Sequence, residues 1–258
     1  MDRMIYTSMS GAKATLQRQD TLAHNLANVS TVGFRAELQA FRSVPINGSG
    51  ASTRAFALES TPGYDATPGP MQMTGRSLDV AVKGDAWLAV QGLDGTEAYT
   101  RAGSMDLSPD GTLVTRNGLS VLGDGGPITV PPNVELSIGA DGSLSARQPN
   151  GKMTTLGRLK LVTPETPLTR GDDGLFRAGA GESLPADTTA RLQEGALEGS
   201  NVSAVETMVA MITAARQFEA QMRLLQTAEA DEKAAAPARV PSRLKARPAT
   251  TPRPARCR

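Results

Sequence analysis

Met4-Ile5-Tyr6-Thr7-Ser8-Met9-Ser10-Gly11-Ala12-Lys13-Ala14-Thr15-Leu16-Gln17-Arg18-Gln19-Asp20-Thr21-Leu22-Ala23-His24-Asn25-Leu26 decides how the chain begins. Its apolar residues Ile5, Met9, Ala12, Leu16, Ala23 and Leu26 keep the four-three spacing of a helical seam, interrupted once by polar Gln19. The seam lasts about three heptads, a helix roughly 37 Å long. A second segment matches it near the other end, where Val205, Met208, Ile212, Ala215, Met222 and Leu225 keep the spacing and Met211 and Phe218 widen the stripe. Ser203-Ala204-Val205-Glu206 marks its start, with a hydroxyl at the N-cap and a carboxylate three residues on that can each satisfy a free amide of the first turn. Prolines at 237, 241, 248, 252 and 254 cannot continue a helix and mark its end.

Between the helices the apolar period changes to two, as in Leu78-Asp79-Val80-Ala81-Val82, Val134-Glu135-Leu136-Ser137-Ile138 and Leu159-Lys160-Leu161. These read as strands with one buried face. Turn signals follow at Asp94-Gly95, Asp110-Gly111, Asn117-Gly118, Asp141-Gly142, Asn150-Gly151 and Asp173-Gly174. The expected class is α+β, an all-β central domain of hairpins flanked by N- and C-terminal amphipathic coiled-coil helices. Its parts are an N-terminal helix and signature segment over 1–42, a flexible linker over 43–69 and the β domain over 70–185. A return segment over 186–202, a C-terminal helix over 203–233 and a disordered basic Pro/Arg tail over 234–258 complete it.

The 258 residues are enough for one or two domains with a real core, and aromatics at 3% leave that core largely aliphatic. One histidine and one cysteine exclude an internal disulfide, a Cys/His zinc cluster and Ser-His-Asp chemistry not based on His24. His24 lies beside the seam, where a structural or solvent-facing role explains it. Gly179-Ala180-Gly181-Glu182-Ser183 lacks the lysine and following helix of a phosphate loop, and Asp172-Asp173 sits between glycines at a turn. No catalytic, metal or cofactor site is expected, and the chain reads as a non-enzyme.

The net charge of +1 hides an asymmetry, because 233–258 carry eight Lys/Arg and no Asp or Glu, which leaves an acidic body with no sequence-wide attraction to nucleic acid. No apolar run is long enough to span a membrane, and the first residues mix charged and polar groups with apolar ones instead of forming a cleaved-signal core. Two end helices that each leave a seam to be covered suggest a helical assembly in which non-closing contacts propagate. The competing reading is a soluble β-domain binding module with two helices folded back on it.

His24-Asn25-Leu26-Ala27-Asn28-Val29 running into Ser30-Thr31-Val32-Gly33-Phe34-Arg35 resembles the N-terminal signature of the flagellar basal-body rod, hook and hook-filament axial proteins, with His24 in place of the usual first Asn. The run from Tyr99 through Arg101 and Gly111 to Gly118 is similar to that family's β-domain signature, and Glu194-Gly195 through Glu198 to Asn201-Val202 to its third. Within the family the proximal-rod members are the nearest resemblance, with distal-rod members next. The resemblance implies a structural subunit of the rod, assembled helically around the export channel, passing torque from motor to hook. It also implies partners among other rod proteins and copies of the chain itself, and export from the cytoplasm by the flagellar type III apparatus to the periplasm without a cleaved signal. The expected assembly interface joins the two seams with Asn25, Asn28, Gly33, Phe34 and Asn201.

Overall fold

The computed structural model describes residues 2–45, 55–59 and 63–235. Helix α1 runs over Asp2–Ala27 and helix α2 over Ala204–Ala235, with a β-rich body between them. The expected basic tail beyond Ala235 and the side chain of Ile5 lie outside the described residues.

At the centre is a five-stranded antiparallel sheet in the order Leu161–Val162, Trp87–Gln91, Glu97–Thr100, Phe176–Arg177, Thr169–Arg170. The period of two sorts its residues onto two faces. Leu88, Val90 and Ala98 join the main aliphatic core with Val80, Met105, Leu113, Ile138, Leu144 and Leu192. Trp87, Ala89, Tyr99 and Phe176 point the other way into a second cluster with Val162 and Leu168. Residues 87–90 are therefore buried without a break, because core covers both faces. Four of the nine aromatic residues gather on that second face, where Tyr64 meets Phe176 edge-on at 4.8 Å between centroids and Trp87 at 6.0 Å.

Each of the six turn signals closes a turn with the same wiring. At Gly92–Thr96 the Gly92 amide donates to the Thr96 carbonyl at 2.8 Å, the Gly95 amide donates back to Gly92, and Gly95 takes the left-handed φ of +79° that a side chain resists. The pattern recurs at Ser108–Thr112, Thr115–Leu119, Gly139–Ser143, Gln148–Lys152 and Gly171–Leu175.

The connection expected over 43–69 is corrected in its described part. Phe41–Pro45 pairs antiparallel with Ala55–Glu59, and Glu37–Leu38 with Gly63–Tyr64. Pro, Gly and Ser mask a strand period here, and Ala55–Glu59 runs against α1, so tertiary contact supplies what propensity withholds. The return segment also joins sheets, Leu192–Glu194 pairing with Val80–Val82 and Ala196–Glu198 with Met71–Met73. The stretch just before it is pinned by Glu97, whose carboxylate accepts from the Tyr99 hydroxyl at 2.9 Å, the Lys160 ammonium at 2.8 Å and the Ser183 hydroxyl at 2.6 Å, while the Leu184 amide donates to the Tyr99 oxygen at 2.8 Å. Burial opposes ionisation of Glu97, but those donors outweigh it and hold its carboxyl below the ordinary value. Burial, reinforced by Glu97, pushes the Tyr99 phenol up to about 12 against the opposing bond from Leu184.

Two expected outcomes follow from this packing. A Cβ at Gly103 would lie 1.8 Å from the Val80 carbonyl oxygen, whereas one at Gly118 would meet open space at φ +80°. Gly103→Ala should therefore cost at least about 3 kcal/mol in urea unfolding and Gly118→Ala about 1 kcal/mol. Because the folded state favours the neutral Tyr99 phenol, its contribution to stability is complete below about pH 10 and fades as pH rises through about 12. Ultraviolet titration should show a phenol ionising near that upper value, absent in Tyr99→Phe.

Candidate assembly interface

α1 leaves its last turn through a polar cap. The Asn28 side-chain amide donates to the His24 carbonyl at 2.9 Å, and the Thr31 hydroxyl to Asn28 Oδ1 at 3.1 Å. Asn25, buried, exchanges two bonds with the backbone of Glu37, donating to its carbonyl at 3.0 Å and accepting from its amide at 2.8 Å. His24 is half exposed, with Nδ1 at 3.0 Å from Glu37 Oε2 and its ring edge-on to Phe34. Asn201, just before α2, performs the same service for the other helix. Its carbonyl oxygen accepts from the Ala36 amide at 2.7 Å, and its NH2 donates to the carbonyls of Asp65 and Thr67 at 3.1 and 3.0 Å. The Ser203 hydroxyl then accepts from the Glu206 amide at 3.4 Å, as the cap pattern implies.

Beneath these amides lies a buried ion triad. Glu198 Oε1 is 2.7 Å from Arg35 Nη2 and its Oε2 is 2.8 Å from Arg101 Nε, with all three side chains at most 3% exposed. Each arginine also donates to backbone carbonyls, Arg35 to that of Thr67 and Arg101 to those of Gly84 and Ala86, while Arg35 Nε is buried without a partner among the described residues. Glu198 Oε1 also accepts from the Gly69 amide at 3.0 Å, and the Glu198 carbonyl from the Gly33 amide at 2.7 Å. Gly33 is required here because a Cβ would lie 2.3 Å from the Arg101 carbonyl carbon, at a φ of +69°. Burial, with Arg101 adding to it, lowers the pKa of Arg35 against the pull of Glu198. Phe34 packs under Arg170, whose guanidinium carbon stands 4.5 Å from its ring centroid.

Asn25, Asn28, Gly33, Phe34 and Asn201 are thus brought together at one joint where both helices enter the β body. The helical seams come together differently from expectation. α1 and α2 run antiparallel, with the Gln221 side chain 3.4 Å from where a Cβ at Gly11 would lie. On α2 the covered stripe is Ala204, Thr207, Met211, Ala214, Phe218, Gln221 and Leu225, with Thr207 and Ala214 buried. On α1 it is Ser8, Ala12, Thr15, Gln19, Leu22 and Leu26. Small and polar residues alternate in these stripes with the larger Leu22, Leu26, Met211, Phe218 and Leu225. Of the expected seam, Ala12, Leu26, Ala215, Phe218 and Leu225 are at least half covered. Met9, Leu16, Ala23, Val205, Met208, Ile212 and Met222 face outward, Val205 at 73% and Ile212 and Met9 at 56% exposure. Val209 and Leu224 extend that outer stripe.

Sequence reasoning quoted Arg35, Arg101 and Glu198 without assigning them a role. The available signal was three charged residues inside otherwise motif-like, turn-rich segments. Among the described residues no group of three His, Cys, Asp or Glu is placed to hold a metal, and no helix is long and apolar enough to cross a membrane.

Comparison with known proteins matches three stretches of the chain. Residues 5–35 match the model of the flagella basal body rod protein, 81–146 that of the D1 domain of the flagellar hook protein FlgE/F/G, and 193–236 that of the C-terminal part of the flagellar basal body rod FlgEFG protein. The chain is 48% identical over 242 residues to the flagellar basal-body rod protein FlgF of Salmonella typhimurium, covering 90% of this chain and 96% of that one. It is 49% identical over 239 residues to FlgF of Escherichia coli, covering 89% and 95%. It is 34% identical over 259 residues to the rod protein FlgG of Bacillus subtilis, covering 89% and 96%. Each matched stretch supplies one member of the triad: Arg35, Arg101 and Glu198.

Removing the shared carboxylate leaves two buried guanidiniums facing each other. Glu198→Ala is therefore expected to cost about 3–5 kcal/mol in denaturant unfolding. The exposed pair Arg177 and Asp173 is the comparison, and Asp173→Ala should cost under about 1 kcal/mol.

Proposed function

The chain belongs to the flagellar basal-body rod protein family and is a structural subunit of the rod, most like FlgF; from that premise we propose that it assembles helically through the outward stripes of α1 and α2. Family membership supports contacts with other rod proteins and a place in the basal body. The finer reading is a proximal-rod position in the periplasm, contacts with copies of itself, and delivery by the flagellar type III apparatus. It is a non-enzymatic role in which the rod surrounds the export channel and transmits torque, with the end helices as coiled-coil elements.

One observation carries the assembly reading. After α1 and α2 have covered each other, Met9 and Leu16 on one helix and Val205, Met208, Val209 and Ile212 on the other remain exposed at helical spacing. A helix that has already satisfied its partner has no folding reason to keep a second apolar face. Covering each such side chain is worth about 1.5–3 kcal/mol, so a subunit laid against several neighbours gains most where these residues meet them. Asn25, Asn28, Gly33, Phe34 and Asn201 then act from within, fixing the helices on the body and meeting no neighbour directly.

Ile212→Asp and Met208→Asp should abolish swimming and rod completion while shifting the melting midpoint of the isolated protein little, since a surface substitution typically costs within about 0.5 kcal/mol. Ala214→Asp, at 1% exposure, should instead unfold the helix pair. Motility assays, electron microscopy of basal bodies and melting curves read these outcomes. Normal rods containing Ile212→Asp would remove the outer stripe from the assembly.

A further inference from the structure

We infer that the Arg35–Glu198–Arg101 triad is an orientation lock, holding the helix pair at one angle to the β body without a net gain in stability. The burial of three charges is hard to explain as stabilisation. Desolvating them opposes their attraction, Arg35 Nε is a buried nitrogen with no partner among the described residues, and apolar side chains of similar volume would fill the same space. What apolar packing lacks is direction. Each planar guanidinium places its donors in a fixed fork, so Arg35 binds Glu198 only while it also reaches the Thr67 carbonyl, and Arg101 only while it reaches those of Gly84 and Ala86. With the Gly69 amide on Glu198, the carboxylate ties the exit of α1, the approach to strand Met71–Met73, the end of strand Glu97–Thr100 and the approach to α2 into one bonded set.

The purpose, though not the lock itself, rests on the rod reading. A helical assembly repeats the relation between helices and body at every subunit, so a small spread in that angle accumulates along the stack. The three residues come from three separately matched stretches, which places the lock where all of them meet.

Paired spin labels test the inference on the full chain. Arg18→Cys on α1 and Lys152→Cys on a β turn, with Cys257→Ser, give one narrow distance peak in the parent protein. The triple variant Arg35→Met, Arg101→Met, Glu198→Leu should melt at or above the parent midpoint, lose the single peak and fail to restore swimming. Arg35→Lys keeps the cation and most of the volume but not the fork, so it should also lose the single peak. Surface variant Arg177→Ala should keep it. A single parent-like peak in Arg35→Lys or in the triple variant overturns the lock, and a broadened peak with normal swimming overturns its role in assembly. Swimming that survives removal of the whole chain would count against the rod reading and leave the lock, read on isolated protein, untouched.

Discussion

One carboxylate binds together the exit of α1, the approach to α2 and the central sheet. Glu198 is nearly sealed from water, and an ionised carboxylate there is tolerable only because two guanidiniums and a backbone amide face it at hydrogen-bond distance. The two arginines repel each other and leave the cluster with an excess positive charge, which backbone carbonyls of three other residues offset. Helix exit, helix entry and central sheet consequently cannot be positioned independently. The Asn25 and Asn201 amides extend the same logic outward, since each satisfies backbone groups of a segment it does not belong to.

The joint explains why the molecule presents two kinds of surface. The β body is closed by its own core and carries polar turns, whereas among the described residues no side chain of either helix joins that core. Their covered stripes mix alanine, threonine, serine and glutamine with Leu22, Leu26, Met211, Phe218 and Leu225, leaving Val205, Val209, Ile212 and the methionines Met9, Met208 and Met222 outside. Methionine on the outer face has a physical advantage for a surface meeting unlike neighbours, because its unbranched thioether adapts its shape at little cost.

Much of this was legible in the sequence, and the misses have physical causes. The switch of apolar period located both helices and the β body, and Asp-Gly and Asn-Gly pairs located six turns because a left-handed residue leaves so narrow a choice of side chain. The strands at Phe41–Pro45 and Ala55–Glu59 were hidden, since pairing is set by a partner strand and by α1 and not by local preference. The helix faces were assigned one position out of register for a related reason. Hydrophobic residues such as Val205 and Ile212 mark an apolar face, and nothing local says whether the same chain covers it. The triad was illegible as a unit: Arg35 and Glu198 meet across most of the chain, and no spacing rule links charges that far apart.

The repeated five-residue turn bears on the order in which the chain can organise itself. Each turn joins strands that are neighbours in sequence, so hairpins such as Trp87–Gln91 with Glu97–Thr100 need only short loops closed, an event of about 1–10 μs. The joint requires the opposite, the capture of residue 35 by residue 198 with the finished sheet already in place to supply Arg101. Loop entropy and topology both set these events apart in time. A folding chain would hold a formed β body while its two ends were still separate, and those ends would find each other in a late step.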